Sequence, residues 1–139
     1  MTRDQACACT TLRRITRRVT AAYDTALAPS GLRVTQFALL RILERRGELS
    51  VVQLARAAAL DRSTMGRNLD PLERRGLVEI RVGSADQRER LVTLTETGRE
   101  AIRAAIPYWR TAQAAVAALV DPALIGALAE QPAADLDRS

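Results

Sequence analysis

The chain has 139 residues, 47% of them hydrophobic, no histidine and a formal net charge of +5, which suits one domain and favours a polyanionic partner. The sequence contains no glycine-rich phosphate loop and no metal-ligand cluster, so we expect neither an enzyme nor a bound cofactor or metal. It also lacks a signal peptide and any run of about 18 apolar residues, which predicts a cytoplasmic protein with no membrane partner.

Two helices are predicted in the first third of the chain. Apolar residues recur at steps of three and four through Leu12, Ile15 and Val19, while arginines occupy the other faces. This spacing predicts an amphipathic helix over residues 6–27. A second helix is expected over residues 35–46, where a glycine stops it.

A pair of short capped helices comes next. Ser50 and Gln53 have the spacing of a capping box, and Asp61 is the expected N-cap of a helix over residues 62–75 that ends at Gly76. A tight turn between short helices lets the second helix project its N-terminal end from the domain. Its outward residues are predicted to be Arg62, Ser63, Thr64, Arg67 and Asn68. Arginine can bond guanine and asparagine can bond adenine bidentately, so this face suits a DNA major groove.

The period then changes from helical to alternating. Residues 78–82 and 88–94 are predicted to form a β-hairpin around a polar tip. Arg88 and Arg90 are two residues apart, so we expect both on one face of the return strand, where a projecting cation can enter the minor groove. Residues 61–90 contain seven arginines and six acidic residues. DNA binding must therefore depend on the positions of particular arginines, because the net charge of this region is small.

The C-terminal segment is predicted to be helical. Thr95 is the expected N-cap of a long helix reaching Asp121 with a kink at Pro107, and Asp121 should cap a short helix ending near Glu130. Residues 131–139 have little to bury and should be frayed. The apolar terminal helices suggest a partner helix from a second copy, although packing on their own domain remains the alternative.

Two stretches resemble the MarR family of bacterial regulators. One is Asp86-Gln87-Arg88 followed by Leu91 to Gly98, which looks like the family's wing, and the other is Leu72-Glu73-Arg74-Arg75-Gly76-Leu77-Val78. With Gly31-Leu32 and Gln36-Phe37, the resemblance covers residues 12–119. It implies a mainly α winged helix-turn-helix with a small β-hairpin wing, in one domain over residues 1–139. Residues 6–28 and 95–130 would form the dimerisation helices, and residues 33–94 the DNA-binding region.

The resemblance further implies a homodimer that binds a pseudo-palindromic operator on double-stranded DNA and loses affinity when an effector binds. Within such a wing, Asp86 is expected to orient the Arg88 side chain by a charge-assisted bond. The competing interpretation is a winged-helix module that binds protein or RNA without duplex specificity.

Cys9 is one candidate for the effector response. Its distance from Gly31, together with Tyr23, matches the MarR subgroup that senses organic hydroperoxides, although Val34 replaces a second expected tyrosine and Phe37 another. Tyr23 lies about 21 Å along the helix from Cys9 and could reach it only in an antiparallel dimer. A thiol without hydrogen-bond donors should keep a pKa near 8.5. The alternatives are a buried cysteine that acts as a small hydrophobe, and soft-metal binding by Cys7 with Cys9.

A small aromatic or carboxylate ligand is the other candidate effector. The family resemblance allows such a ligand between the dimer helices and the DNA-binding region. The candidate lining residues are Tyr23, Phe37, Tyr108, Trp109 and Arg13. Core packing is the competing role for these aromatic side chains.

Overall fold

The computed structural model of the chain describes residues 6–130, which are mainly helical with one small sheet. The elements follow in the order α1 (Ala8–Leu27), a 3-10 turn (Ala28–Ser30), α2 (Val34–Arg46), β1 (Leu49–Ser50), α3 (Val51–Ala58), α4 (Arg62–Arg74), β2 (Val78–Val82), β3 (Arg90–Leu94), α5 (Glu96–Ala117) and α6 (Pro122–Ala129). This arrangement confirms the predicted winged helix-turn-helix with long terminal helices.

The sheet has three antiparallel strands in the order β1-β3-β2. Strands β2 and β3 form the predicted hairpin, with Ile80 opposite Val92. The two-residue strand β1 was not predicted from the sequence, and its Leu49 pairs with Val92 on the other edge of β3. The wing is thereby hydrogen-bonded to the segment that leads into α3.

The core lies between α2, α3, α4, the sheet and the first half of α5. Leu40, Leu54, Leu72 and Ile102 are completely buried. Each such side chain contributes about 1.5–3 kcal/mol by leaving water. The inward faces of α2 and α4 are buried at helical spacing, through Phe37, Leu40, Leu43, Met65, Leu69 and Leu72.

The helix caps follow the sequence closely. Ser50 and Gln53 make the predicted reciprocal capping box of α3, with bonds of 3.1 and 3.0 Å. The carboxylate of Asp61 accepts the Thr64 N–H at 2.8 Å, as expected for the N-cap of α4. The turn between α3 and α4 places Ala59 in the left-handed region, at φ 54°.

The C-terminal helices differ in length from the prediction. Helix α5 ends at Ala117 rather than near Asp121, and α6 leaves it at an angle of 94°. Asp121 caps α6 through the Ala123 N–H at 2.9 Å, as predicted. The expectation for residues 131–139 lies outside the described residues. Within residues 6–130 no single helix has the length and hydropathy of a membrane span; α5 and α6 reach those values only as a pair, despite the bend between them.

Candidate nucleic-acid interface

The first turn of α4 is fixed by Asp61. Its carboxylate accepts hydrogen bonds from the Thr64 N–H at 2.8 Å and the Ser63 hydroxyl at 2.9 Å. These bonds, with a smaller contribution from the nearby Arg67 charge, hold the pKa of Asp61 below its ordinary value. Because the single hydroxyl proton of Ser63 is donated to Asp61, Ser63 can offer only acceptor lone pairs to a ligand in this arrangement.

The residues of α4 that are predicted to contact DNA differ in their exposure. Arg62, Ser63 and Arg67 are exposed, whereas Thr64 and Asn68 are half-buried. The Asn68 amide donates to the Thr64 carbonyl at 2.8 Å, which commits one of its two N–H groups to the helix. Its carbonyl oxygen and second N–H remain for a base edge. The Arg67 guanidinium has no hydrogen-bond partner among the described residues, so all of its N–H groups are available to a ligand.

The wing differs in detail from the sequence prediction. Strand β3 begins at Arg90, so Arg88 lies in the preceding turn, and the inference that both arginines share a strand face is wrong. The Asp86 carboxylate accepts the backbone N–H of Arg88 at 2.9 Å, and the predicted bond to the Arg88 guanidinium is absent among the described residues. Asp86 closes the turn locally because the neighbouring amide is within reach at no cost in side-chain ordering.

A groove of about 1300 Å³ separates the wing from α3 and α4. Its apolar floor includes Ala55, Met65, Leu69 and Ile80. Four arginines line it, namely Arg56, Arg62, Arg88 and Arg90, together with the acidic residues Asp70, Asp86 and Glu89. Arg90 lies here because it pairs with Val82 on the face of the hairpin that also carries Ile80. The structure therefore brings three of the predicted arginines together on one concave surface.

Arg56 is the groove residue that the sequence analysis missed. It lies on α3, where Val51, Leu54, Ala55 and Ala58 define the inward face. A residue two positions after Leu54 points about 200° away from it and must therefore face outward. Helical periodicity alone could have identified Arg56 as a surface cation beside α4.

Glu48 forms hydrogen bonds with both strands of the wing. Its carboxylate accepts two bonds from Arg81 at 2.8 and 3.0 Å and one from the Thr93 hydroxyl at 3.0 Å. These hydrogen bonds, led by those from Arg81, hold the pKa of Glu48 below its ordinary value. The three residues belong to β2, β3 and the approach to β1, so the contact spans the whole sheet.

The aromatic candidates for an effector site are only partly brought together. The rings of Phe37 and Trp109 lie 5.8 Å apart, and the Arg41 guanidinium is 5.8 Å from the Trp109 ring centre. Phe37 is buried, whereas Trp109 is half-buried. Arg41, one helical turn after Phe37, was not among the predicted residues. None of these side chains lines the groove described above.

The remaining candidates for this site are the two tyrosines and Arg13. Tyr23 is half-buried on α1, and burial raises its pKa above the ordinary value. Tyr108 is 39% exposed on α5. Arg13 was predicted to line a ligand site, but its guanidinium donates to Cys9 Sγ at 3.6 Å along the same helix.

Both cysteines are exposed at the start of α1, so the expectation of a buried cysteine is wrong for the single chain. Cys7 occupies the N-cap position without regular cap geometry, and the nearby N–H and hydroxyl of Thr10 hold its pKa below the ordinary value. Cys9 has Arg13 as a hydrogen-bond donor. The assumption that the Cys9 thiol lacks a hydrogen-bond donor is therefore wrong. Over residues 6–130 no group of three His, Cys, Asp or Glu side chains has metal-site geometry.

Comparison with known proteins identifies relatives over most of the chain. The sequence model of the MarR family matches residues 32–89. The crystal structure of the M. tuberculosis transcriptional regulator MosR in complex with DNA shares 40% identity, covers 88% of this chain and 91% of MosR, and has a TM-score of 0.78. BpsR of Bordetella bronchiseptica shares 26% identity with a TM-score of 0.78, and the match covers 93% of this chain and 97% of BpsR.

Curated regulators match over shorter stretches. The E. coli transcriptional regulator HosA is 36% identical over 72 residues, which are 52% of this chain and 53% of HosA. The Pseudomonas putida repressor NicR is 32% identical over 99 residues, which are 71% of this chain and 63% of NicR. The match to HosA thus spans about half the length of that protein.

Proposed function

This chain belongs to the MarR family of DNA-binding transcriptional regulators, and we propose that it acts as a homodimeric repressor of a pseudo-palindromic operator. Helix α4 enters the major groove, where Arg67 and Asn68 read base edges and Ser63 and Thr64 contact bases or phosphates. Arg62 lies at the N-terminal end of the same helix. Arg88 and Arg90 meet the backbone or minor groove from the wing, and Asp86 holds the turn that presents Arg88.

The observation that carries this proposal is the arginine-lined groove between α4 and the wing. Its four arginines suit contact with the phosphates of a DNA strand that passes between α4 and the wing. Exposed Arg67 lies on the adjacent face of the rigidly capped α4. The crystal structure of MosR with DNA shows that a relative at 40% identity binds the same class of partner.

The dimer is supported by apolar side chains that the single chain leaves uncovered. Leu12 is 58% exposed and Ile15 41% exposed on α1, which packs beside α5. Further exposed apolar residues lie at the C-terminal end, namely Leu119, Leu124, Ile125 and Leu128. Exposed apolar residues on both terminal helices favour a second copy as their partner, and two half-sites about 34 Å apart require two rigidly held α4 helices.

Selection of duplexes from a random pool at moderate salt tests this function. We expect a palindromic consensus. Arg67→Ala should weaken binding about ten- to hundredfold and reduce the base preference at one position of each half-site. Arg88→Ala should reduce affinity with the dimer intact. Arg103→Ala removes an exposed cation from α5, outside the groove, and should bind as the wild type does. Enrichment of no duplex would favour a protein- or RNA-binding module, and unchanged affinity of Arg88→Ala would reject the wing assignment.

A small aromatic carboxylate is the proposed effector. BpsR, at 26% identity, is a regulator whose DNA binding is controlled by 6-hydroxynicotinic acid. In this chain, the half-buried Trp109 ring, which packs on buried Phe37, and the Arg41 guanidinium beside it offer an aromatic face and a cation of the kind such a ligand would use. Arg41 also donates to the Glu44 carboxylate at 3.1 Å, so a ligand carboxylate would share or replace that partner. Aromatic carboxylates should raise the melting temperature of the wild type and not that of Trp109→Ala. No stabilisation by any member of a broad panel would contradict this assignment.

Oxidation at the start of α1 is a second candidate for the effector response. It is favoured by two exposed thiols, of which Cys7 has a lowered pKa and Cys9 a guanidinium donor. An organic hydroperoxide should then release DNA from the wild type, whereas Cys9→Ser and Cys7→Ser identify the thiol required. Equal release of DNA from the wild type and both variants would reject oxidant sensing at these residues.

A further inference from the structure

We infer that Arg75 is a positioning residue that fixes the orientation of α4 relative to α1, and thereby the separation of the two reading helices in the dimer. The inference rests on the proposed DNA-reading role of α4. Arg75 follows the last residue of α4, and its Nη1 donates to the Gly31 carbonyl oxygen at 2.9 Å, across 44 positions of sequence. In the part of the chain that the structure describes, this is the one side-chain hydrogen bond between residues 62–77 and the connection from α1 to α2.

The guanidinium also packs directly on Gly31. A Cβ placed on this glycine would lie 3.4 Å from Nη2 of Arg75 and 3.7 Å from Nη1. Gly31 has φ +74°, a conformation that L side chains rarely adopt. The Arg75 guanidinium therefore makes both a hydrogen bond to Gly31 and close van der Waals contact with its backbone, which carries no side chain.

Gly31 is a rigid anchor because the segment around it is tied to α1. The Ser30 hydroxyl donates to the Leu27 carbonyl at 2.6 Å and accepts the Leu32 N–H at 3.2 Å. The Asp24 carboxylate on α1 accepts the Val34 N–H at 2.8 Å, which caps α2. Leu27 and Leu32 are buried. A bond to Gly31 is consequently a bond to the end of the proposed dimerisation helix.

The C-terminal end of α4 is also held from the other terminal helix. The Leu77 N–H bonds the Leu72 carbonyl at 3.0 Å, which closes the turn after α4. The Thr95 hydroxyl, at the start of α5, donates to the Gly76 carbonyl at 2.6 Å. Arg75 and Thr95 thus attach the same end of α4 to α1 and α5, the two long helices that carry the proposed dimer interface.

A small rotation at this attached end produces a large displacement at the reading end. Helix α4 has 13 residues and so spans about 20 Å. A tilt of about 5° at Arg75 would move the first turn by about 1.7 Å, and hydrogen bonds to base edges tolerate only a few tenths of an ångström. Loss of the Arg75 contact should therefore affect the match between two half-sites more than the folding of the chain.

Arg74 provides a matched control for charge and position. It is the preceding residue and is also exposed, but its side chain makes no hydrogen bond or ion pair with another described residue. Arg74→Ala and Arg75→Ala each remove one cation from the same end of α4. Arg75→Lys retains the charge and one donor that can reach a carbonyl, so it is the conservative variant.

The test compares binding to the selected operator with binding to versions that have one base pair inserted or deleted between the half-sites. One base pair changes the separation by about 3.4 Å and the rotation by about 34°. Arg75→Ala should bind the selected operator about three- to tenfold more weakly and reduce the discrimination between spacings at least threefold. Arg74→Ala should keep the wild-type discrimination, and Arg75→Lys should restore part of it.

Salt dependence distinguishes positioning from direct contact with DNA. A lost phosphate contact lowers the slope of log affinity against log salt by about one, whereas a lost positioning contact leaves that slope unchanged. A lowered slope for Arg75→Ala, or spacing discrimination equal to that of Arg74→Ala, would overturn the inference while leaving the DNA-binding proposal intact. A wild type that enriches no duplex would instead overturn the proposed function, and this inference with it.

Discussion

Gly98 lies where no side chain can be accommodated. A Cβ at this position would fall far inside contact distance of the Leu77 carbonyl oxygen and 2.6 Å from Leu94 Cδ1. The same carbonyl accepts the Thr95 N–H at 3.1 Å and lies 3.0 Å from the Thr95 hydroxyl, whose single proton is shared with the nearer Gly76 carbonyl, so moving it would weaken the N-cap of α5. Gly98→Ala should therefore lose about 1–3 kcal/mol to overpacking and about 1 kcal/mol to the disturbed hydrogen bonds.

The gain in helix propensity only partly offsets this loss. Alanine is favoured over glycine by about 0.5–1 kcal/mol inside a helix, which leaves a net destabilisation of about 2 kcal/mol and lowers the melting temperature by about 8 °C. Urea unfolding followed by circular dichroism, at one fixed protein concentration, measures the difference. Gly66→Ala is the control, because nothing lies within 4 Å of its added Cβ, and it should gain about 0.5–1 kcal/mol. A Gly98→Ala protein as stable as the wild type would refute the steric argument.

Three further outcomes are expected, one each for the cap of α4, the hydrogen bonds of Glu48 and the terminal helices. Asp61→Ala should lower the midpoint of urea unfolding, and Asp61→Ser should keep most of the wild-type stability because serine is also a good N-cap; equal stabilities of the wild type and Asp61→Ala would contradict the cap assignment. Because the folded-state pKa of Glu48 lies below its ordinary value of 4.5, its contribution to stability is present above that value and is lost as pH falls through the folded pKa. Glu48→Gln should therefore flatten the acid limb of the stability curve, and an unchanged limb would exclude Glu48 as a cause. Ile15→Glu should shift the protein to monomer in analytical ultracentrifugation. Ala21→Glu adds the same charge at an exposed position about 120° around α1 from Ile15 and should not; a dimer in both would place the interface elsewhere.

Features that depend on neighbouring residues in sequence were predicted well. The caps at Ser50 and Asp61 use side chains and amides three residues apart, so their chemistry is visible in the sequence. The buried stripe of α4 follows from helical periodicity in the same way. Local chemistry was sufficient to define the helix pair and therefore the general location of the candidate interface.

Features that depend on distant residues were missed. Strand β1 consists of two residues whose extended conformation is fixed by pairing with Leu91 and Val92, more than 40 positions later. Arg75 likewise finds its partner at Gly31. At the wing, the alternation of residues predicted a longer strand, but the bond from the Arg88 N–H to Asp86 forms a turn instead. Tertiary pairing and competing local hydrogen bonds override such patterns.

Ala59 restricts the connection between α3 and α4 to one backbone conformation, so this connection does not act as a hinge. A residue with a Cβ has few conformations near φ 54°, and the Leu60 N–H bond to the Ala55 carbonyl at 3.0 Å closes the turn around it. The crossing angle of the two helices is therefore set by the backbone of the three residues that connect them, 59–61. Any movement that changes the spacing of the reading helices must carry α3 and α4 together, as one block pivoting about its attachments at β1 and Arg75.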